Sequence, residues 1–282
     1  MKFDKIKSHA KINISLNILG KSKSKLHKIE SLVTFINLAD NIFIKKIKSE
    51  NHKIRFEGRF SKKIQKNNTI TNLLKILDKK KRLKNQRYQI IVKKNIPQKS
   101  GLGGGSMNAA SIIKYLSLKQ KLNFQKKEII NLTSKIGSDV ILGLYQKNFI
   151  IYKNNKLNII KKNIKLYTLL VKPNFGCSTK KIYKNVSSFS KTNLKNLKAS
   201  NLNIKFISRL KNDLEKPAFG KYKKLSSIKN SMEKIDDVLF VRMTGSGSTI
   251  IGYFNSKKTA LNARKIIQKN YKNYWCNLSK TI

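Results

Sequence analysis

Pro97-Gln98-Lys99-Ser100-Gly101-Leu102-Gly103-Gly104-Gly105-Ser106-Met107-Asn108 decides how this chain is read. The stretch follows an apolar strand, Tyr88 to Lys94, which ends at Pro97, and it runs into a helical stretch, Asn108 to Leu118. Four glycines fall within the five residues Gly101 to Gly105. One or two would make a tight strand-to-helix turn. Four leave a length of backbone without Cβ atoms, which a phosphate can approach closely. The helix that follows offers its free N–H groups and the positive end of its dipole to an anion. No Gly-Lys-Ser/Thr closes the stretch, so it is not a Walker loop.

Outward from this loop the pattern alternates strands and helices. Lys11 to Ile18 alternates apolar and polar residues, as do Ile29 to Leu38, Ile42 to Ile47 and Lys53 to Glu57, so residues 1–60 are expected to be strands. Asn68 to Leu77 has Ile70, Leu73, Leu74 and Leu77 on one helical face. Lys126 to Ile136 is expected to be a second helix after the loop, followed by Gly137-Ser138-Asp139-Val140. Asn148 to Tyr152 and Leu166 to Lys172 are strands, and 178–235 is expected to be mostly helical. Val238 to Met243 and Thr249 to Phe254 flank the small-residue turn Thr244-Gly245-Ser246-Gly247-Ser248 as an antiparallel hairpin. Ser256 starts a helix to Lys269, and a short strand lies around Trp275.

At 282 residues the chain is near the size where a single core stops growing, so two domains are expected, divided near 160: 1–160 with the loop, and 161–282. Apolar residues at 39 % and aromatics at 9 % suffice for packed cores. Cys177 and Cys276 form no disulfide framework, and His9, His27 and His52 form no metal motif. No apolar run approaches a bilayer span and no secretory signal is visible, so a cytoplasmic protein is expected.

The formal charge is +50, from 63 Lys plus Arg against 13 Asp plus Glu. Such a chain attracts polyanions. Yet Lys is spread from end to end and Arg, the residue of base readout and bidentate phosphate contacts, is scarce. Asn and Ile are abundant too, and all three residues share A/T-rich codons. Compositional bias therefore competes with an RNA-binding role. Among the few acids, Asp139 stands out in an apolar stretch, where it is either a turn carboxylate or a catalytic one. Lys11 lies within an apolar strand, where an edge position is the plain alternative.

Taken in order, these features resemble the GHMP kinases. The matching blocks are Ala10-Lys11-Ile12-Asn13 through Leu16, His27 with Glu30-Ser31-Leu32, and Lys94-Asn95-Ile96-Pro97. Then come Gly101 to Ser106 with Asn108-Ala109-Ala110, Gly137-Ser138-Asp139-Val140, Asn212-Asp213-Leu214-Glu215 and Met243-Thr244-Gly245-Ser246-Gly247. The triple-Gly loop and the first block are most similar to the branch that phosphorylates a cytidine-diphosphate sugar alcohol.

The resemblance implies an α+β, two-domain GHMP kinase fold, with a ribosomal-protein-S5-like N-terminal domain and a ferredoxin-like C-terminal domain. It implies Asp139 as the carboxylate facing the substrate hydroxyl and Lys11 as its cationic neighbour. Gln98, Lys99, Ser100, Gly101, Leu102, Gly103, Gly104, Gly105, Ser106, Met107 and Asn108 would form the ATP phosphate loop, with Lys94 and Asn68 near the adenine. His27 and Tyr183 would flank the cytosine, Asn13 would contact substrate, and Ser106 would be a ligand of Mg2+. ATP and Mg2+ are the implied cofactors. The partner is a small molecule, with no specific nucleic acid and no membrane, and the protein a monomer or weak homodimer. Leu26 stands where the family has an aromatic, Lys25 where it has Gly, Val140 where it has Pro and Met107 where it has a second Ser. The alternatives are a kinase of a smaller alcohol, homoserine or mevalonate, and a basic RNA-binding protein on a related fold.

Overall fold

The structure, a computed structural model, describes residues 2–22, 27–120, 122–152, 156–162, 164–194 and 197–282. Leu26 and Lys25 lie outside the described residues. In chain order the elements are β1 (Asp4–Asn13), β2 (Asn17–Lys21), β3 (His27–Ile47), β4 (Lys53–Glu57), α1 (Thr69–Lys79), β5 (Arg87–Lys93), α2 (Gly104–Lys119), α3 (Lys126–Ile136), α4 (Val140–Tyr145), β6 (Asn148–Tyr152) and β7 (Lys156–Ile160). They continue with β8 (Tyr167–Lys172), α5 (Thr179–Lys184), α6 (Ile204–Arg209), α7 (Glu215–Lys221), α8 (Lys223–Glu233), β9 (Phe240–Met243), β10 (Ile250–Phe254), α9 (Lys257–Asn270) and β11 (Trp275–Lys280). Contacts group the chain into two compact units: Met1–Lys11, Leu38–Gln98 and Gly103–Gln146 in the first, Ile12–Asn37, Lys99–Leu102 and Lys147–Ile282 in the second.

In the first unit, the C-terminal half of β3 pairs antiparallel with β5, from Asn41 opposite Lys93 to Ile47 opposite Arg87. β4 adds to β5 in parallel. Ile42, Ile44, Tyr88, Ile90 and Val92 on the sheet pack against helices α1 and α2. The face of α1 expected from spacing, Ile70, Leu73, Leu74 and Leu77, is buried as a unit. Each such side chain contributes about 2 kcal/mol by leaving water, so the helix is held by packing. Asn68 caps it, accepting the Ile70 and Thr71 amides at 3.0 and 3.2 Å.

In the second unit, β8, β9, β10 and β11 form one antiparallel sheet in the order β11-β8-β10-β9. Helices fill the β8–β9 connection and α9 the β10–β11 connection, which is the split β-α-β pattern of a ferredoxin-like domain. Helices α8 and α9 bury Leu225, Ile228, Met232, Ala260, Ala263 and Ile267 with Leu169, Val171, Val241 and Phe254 of the sheet. Ser256 does cap α9, its hydroxyl accepting the Thr259 amide at 3.1 Å. The N-terminal half of β3 pairs with β2 and β6, and β6 with β7.

Four expectations change. The strand over 11–18 is interrupted after Asn13: the Ile14 and Ser15 amides both turn to the Leu32 carbonyl, and Leu16 donates to Lys211. The strands at 29–38 and 42–47 are one continuous β3, because the Asp40 carboxylate that breaks the apolar pattern is buried and fully partnered. Helix α2 begins at Gly104 rather than Asn108, so the glycines are its first turn. Residues 186–194, read as helical, are irregular: the Ser190 amide goes to Ile18, and the Asn193 and Leu194 amides go to the buried Glu30 carboxylate.

Candidate active site

The Lys11 side chain lies on β1 with 6 % of its area exposed, and its Nζ is 3.1 Å from Asp139 Oδ2, which is 34 % exposed. Asp139 sits at the start of α4 yet makes no capping bond there. Its carboxylate pairs with Lys11 and is partly open to solvent. Lys11 is no solvated edge residue.

The glycine loop sets where Lys11 lies. Gly103 precedes α2 in the left-handed region, at φ 68°. A Cβ there would stand 2.9 Å from Lys11 Cγ and 3.1 Å from its Cε, so the lysine stem crosses the bare backbone at the helix start. A Cβ on Gly104 would meet Ile96 Cγ2 at 3.0 Å and Lys94 Nζ at 3.3 Å. One on Gly105 would meet Thr69 Oγ1 at 3.3 Å, and Thr69 also donates to the Gly105 carbonyl at 2.8 Å. Among the described residues helix α2 has no side-chain N-cap, so its first amides are open to an anion. Ser106 Oγ lies toward Gly137, 3.4 Å from where a Cβ would stand on that residue, two residues before Asp139. From this crowding, Gly104→Val should abolish ATP binding, since a branched Cβ must displace Ile96 and Lys94 from under the first turn. Calorimetry with ATP checks it; unchanged affinity would mean the loop is only a turn.

The remaining loop side chains shape it. Gln98 donates to the carbonyls of Phe60 and Lys62 at 3.0 and 2.8 Å. Lys99 is exposed and the Ser100 side chain is buried. Leu102 and Met107 belong to the core. Asn108 donates to Asp40. Lys94, expected near the adenine, has its ammonium against Asp40. Asn68, expected there too, turns its amide to Gln65 and Lys66 while its oxygen caps α1.

In the second unit, Ser100 and Gly101 meet the turn that small residues promised. The Ser100 carbonyl accepts the Thr249 amide at 3.2 Å, and a Cβ on Gly101 would run into the Thr244 carbonyl. Thr244 Oγ1 accepts the Asn13 amide at 3.0 Å. Asn13 Nδ2 donates to Ser31 at 2.8 Å. Asn212 donates to the carbonyls of Met243 and Gly245 at 2.7 and 2.8 Å, so the Asn212 to Glu215 block shapes the same turn. His27 and Tyr183 stand with ring centroids 5.1 Å apart and planes tilted by 51°. Among the described residues His27 Nε2 is buried without a partner, and burial, then the charge of Lys21, lowers its pKa from 6.5. Asp40, which falls between the stretches 29–38 and 42–47 expected as separate strands, also meets the glycine loop, its carboxylate against Lys94 and Asn108.

No helix among the described residues is long and apolar enough to cross a membrane.

The GHMP kinases N terminal domain family model matches residues 68–147, and the GHMP kinases C terminal model matches 191–273. The chain belongs to the GHMP kinase family. It is 49 % identical over 278 residues, 99 % of either chain, to the 4-diphosphocytidyl-2-C-methyl-D-erythritol kinase of Pelagibacter ubique. It is 31 % identical to that of Clostridioides difficile, over 96 % of this chain and 94 % of the relative. Within the GHMP kinases it therefore belongs with the 4-diphosphocytidyl-2-C-methyl-D-erythritol kinases. The fold matches a crystal structure of 4-(cytidine 5'-diphospho)-2C-methyl-D-erythritol kinase at a TM-score of 0.79 with 20 % identity, covering 98 % of this chain and 99 % of that one. It also matches homoserine kinase from Cytophaga hutchinsonii at 0.75 with 15 % identity, covering 100 % and 95 %.

Proposed function

We propose that this chain transfers the γ-phosphoryl group of ATP to the 2-hydroxyl of 4-diphosphocytidyl-2-C-methyl-D-erythritol, a step in non-mevalonate isoprenoid precursor biosynthesis. The observation that carries the chemistry is the Lys11–Asp139 ion pair, its lysine stem laid across the start of α2. Phosphoryl transfer asks for positioning and charge neutralisation more than for covalent chemistry. The substrate oxygen bonds to the γ-phosphorus, the bond to the bridging oxygen breaks and ADP leaves. Asp139 accepts the hydroxyl proton. Lys11, 3.1 Å from Asp139, orients the hydroxyl and balances charge growing on the transferred group.

The open amides of α2 and the bare backbone of Gly103 to Gly105 suit a phosphate chain, with Gln98 to Asn108 as the ATP loop and Lys94 and Asn68 along its adenine side. Mg2+ keeps most of its waters and binds largely through phosphate oxygens, so it needs few protein donors. Ser106 fits as one of them, and the ion would neutralise the phosphate oxygens. His27 and Tyr183 hold the cytosine, with His27 Nε2, which has no partner among the described residues, turned to its polar edge, and Asn13 contacts the substrate. We assign residues 1–160 to the domain with the ATP loop and 161–282 to the C-terminal domain, with the enzyme a cytoplasmic monomer or weak homodimer.

The test is ATP consumption with the cytidine substrate beside mevalonate, homoserine and RNA controls. Turnover confined to the cytidine substrate supports the reading; turnover on a smaller alcohol, or none with RNA retained at physiological salt, would replace it. The pH dependence follows from His27. A lowered pKa means a neutral ring at pH 7, so the KM of the cytidine substrate should stay flat above pH 6.5. It should rise as pH falls through the lowered pKa, and the ATP KM should not follow. His27→Ala should raise the substrate KM about tenfold and abolish that acid limb.

A further inference from the structure

Asp40 lies in the middle of β3 and is fully buried. A buried carboxylate is retained only where charge and hydrogen bonds compensate its lost hydration. Asp40 has four such partners. Its Oδ1 accepts the amides of Asn95 and Ile96 at 2.7 and 2.8 Å. Its Oδ2 accepts the Lys94 ammonium and, at 3.0 Å, Nδ2 of Asn108. Among the described residues Asn108 Oδ1 is buried without a partner while Nδ2 makes that bond.

Three of these partners, from residues 94 to 96, lie on the chain entering the glycine loop. The fourth is on α2, where the chain leaves it. One carboxylate therefore ties both flanks of the loop. It also holds the Lys94 ammonium 3.3 Å from the position of a Cβ on Gly104, under the first turn of α2. That turn is where a helix attracts anions. Without Asp40, a buried ammonium at this place would be uncompensated and would be driven out toward water.

We infer that Asp40 is a positioning residue for the nucleotide: it sets the shape of the phosphate loop and the place of the Lys94 charge beneath it, and touches neither substrate itself. The inference rests on the reading of this loop as the ATP site. Asp40→Asn keeps the size of the side chain and an oxygen for the Asn95 and Ile96 amides, but turns an amide NH2 toward Lys94 and Asn108. The measurement is calorimetric binding of ATP and, separately, of the cytidine substrate to the full chain.

The ATP Kd should rise at least about tenfold, as expected when hydrogen bonds to a charged group are lost, while the cytidine-substrate Kd stays within about twofold. An ATP Kd within about twofold of the wild type, or equal losses for both ligands, would overturn the inference. Should Asp40→Asn fail to fold, Asn108→Ala removes one donor: the ATP Kd should rise about threefold or more with the substrate Kd unchanged, and an unchanged ATP Kd would overturn it. Wild-type turnover on the cytidine substrate is a separate measurement. Its absence would sink the assigned reaction and leave the ATP affinities as a test of Asp40.

Discussion

Asp139→Asn should lower kcat at least about a hundredfold, the range for loss of a positioned proton acceptor, with ATP affinity and fold kept. The structure says why the damage should be confined to turnover. Asp139 makes no capping bond to α4, so the amide costs that helix nothing. The glycine loop owes its form to Gly103, Gly104 and the partners of Asp40, not to Asp139. What is lost is the anion 3.1 Å from Lys11. An amide neither accepts the hydroxyl proton nor compensates the lysine, so both halves of the pair are disabled by one substitution. Steady-state kinetics, ATP calorimetry and a thermal melt together decide. Near-normal turnover would remove Asp139 from the chemistry, and a collapse of ATP affinity would move it to nucleotide binding.

Gly103→Ala should be nearly as damaging, because its methyl group would collide with the Lys11 stem. Its φ of 68° is in the left-handed region, which costs an L-residue about 1–2 kcal/mol. The new Cβ would also stand 2.9 Å from Lys11 Cγ, closer than carbon atoms approach, so the lysine stem must lift. Displacing a positioned catalytic group by about 1 Å is worth on the order of a hundredfold in rate. We expect a kcat loss of that order. Gly105→Ala is the control, because its Cβ would meet only Thr69, at 3.3 Å, at an exposed position. If both variants lost turnover equally, crowding of the phosphates rather than displacement of Lys11 would be the cause.

Much of the candidate site was legible in the sequence because it uses residue types that stand out locally. A run of glycines at a strand-to-helix junction has few other uses. A rare acid at 139 and a lysine inside an apolar strand were both conspicuous. The spacing of Ile70, Leu73, Leu74 and Leu77 fixed α1, and the two apolar runs around Thr244 to Ser248 fixed the β9–β10 hairpin, since both depend on side-chain period alone.

Only the tertiary structure decided the features that depend on partners far along the chain. Asp40 looked like a break between two strands. It is the interior of one, because residues 94–96 and 108 satisfy its carboxylate. Residues 186–194 fall within 178–235, expected to be mostly helical, but Glu30 and Ile18 take the backbone donors a helix would need. Lys94 could not be told from some sixty other cationic residues until its ammonium was found against a buried acid. Local pattern therefore determined which elements form and which residues carry charge into the site. Which buried carboxylate receives which donor was decided by the fold, because a hydrogen-bond partner fifty or more residues away leaves no periodic trace in the sequence.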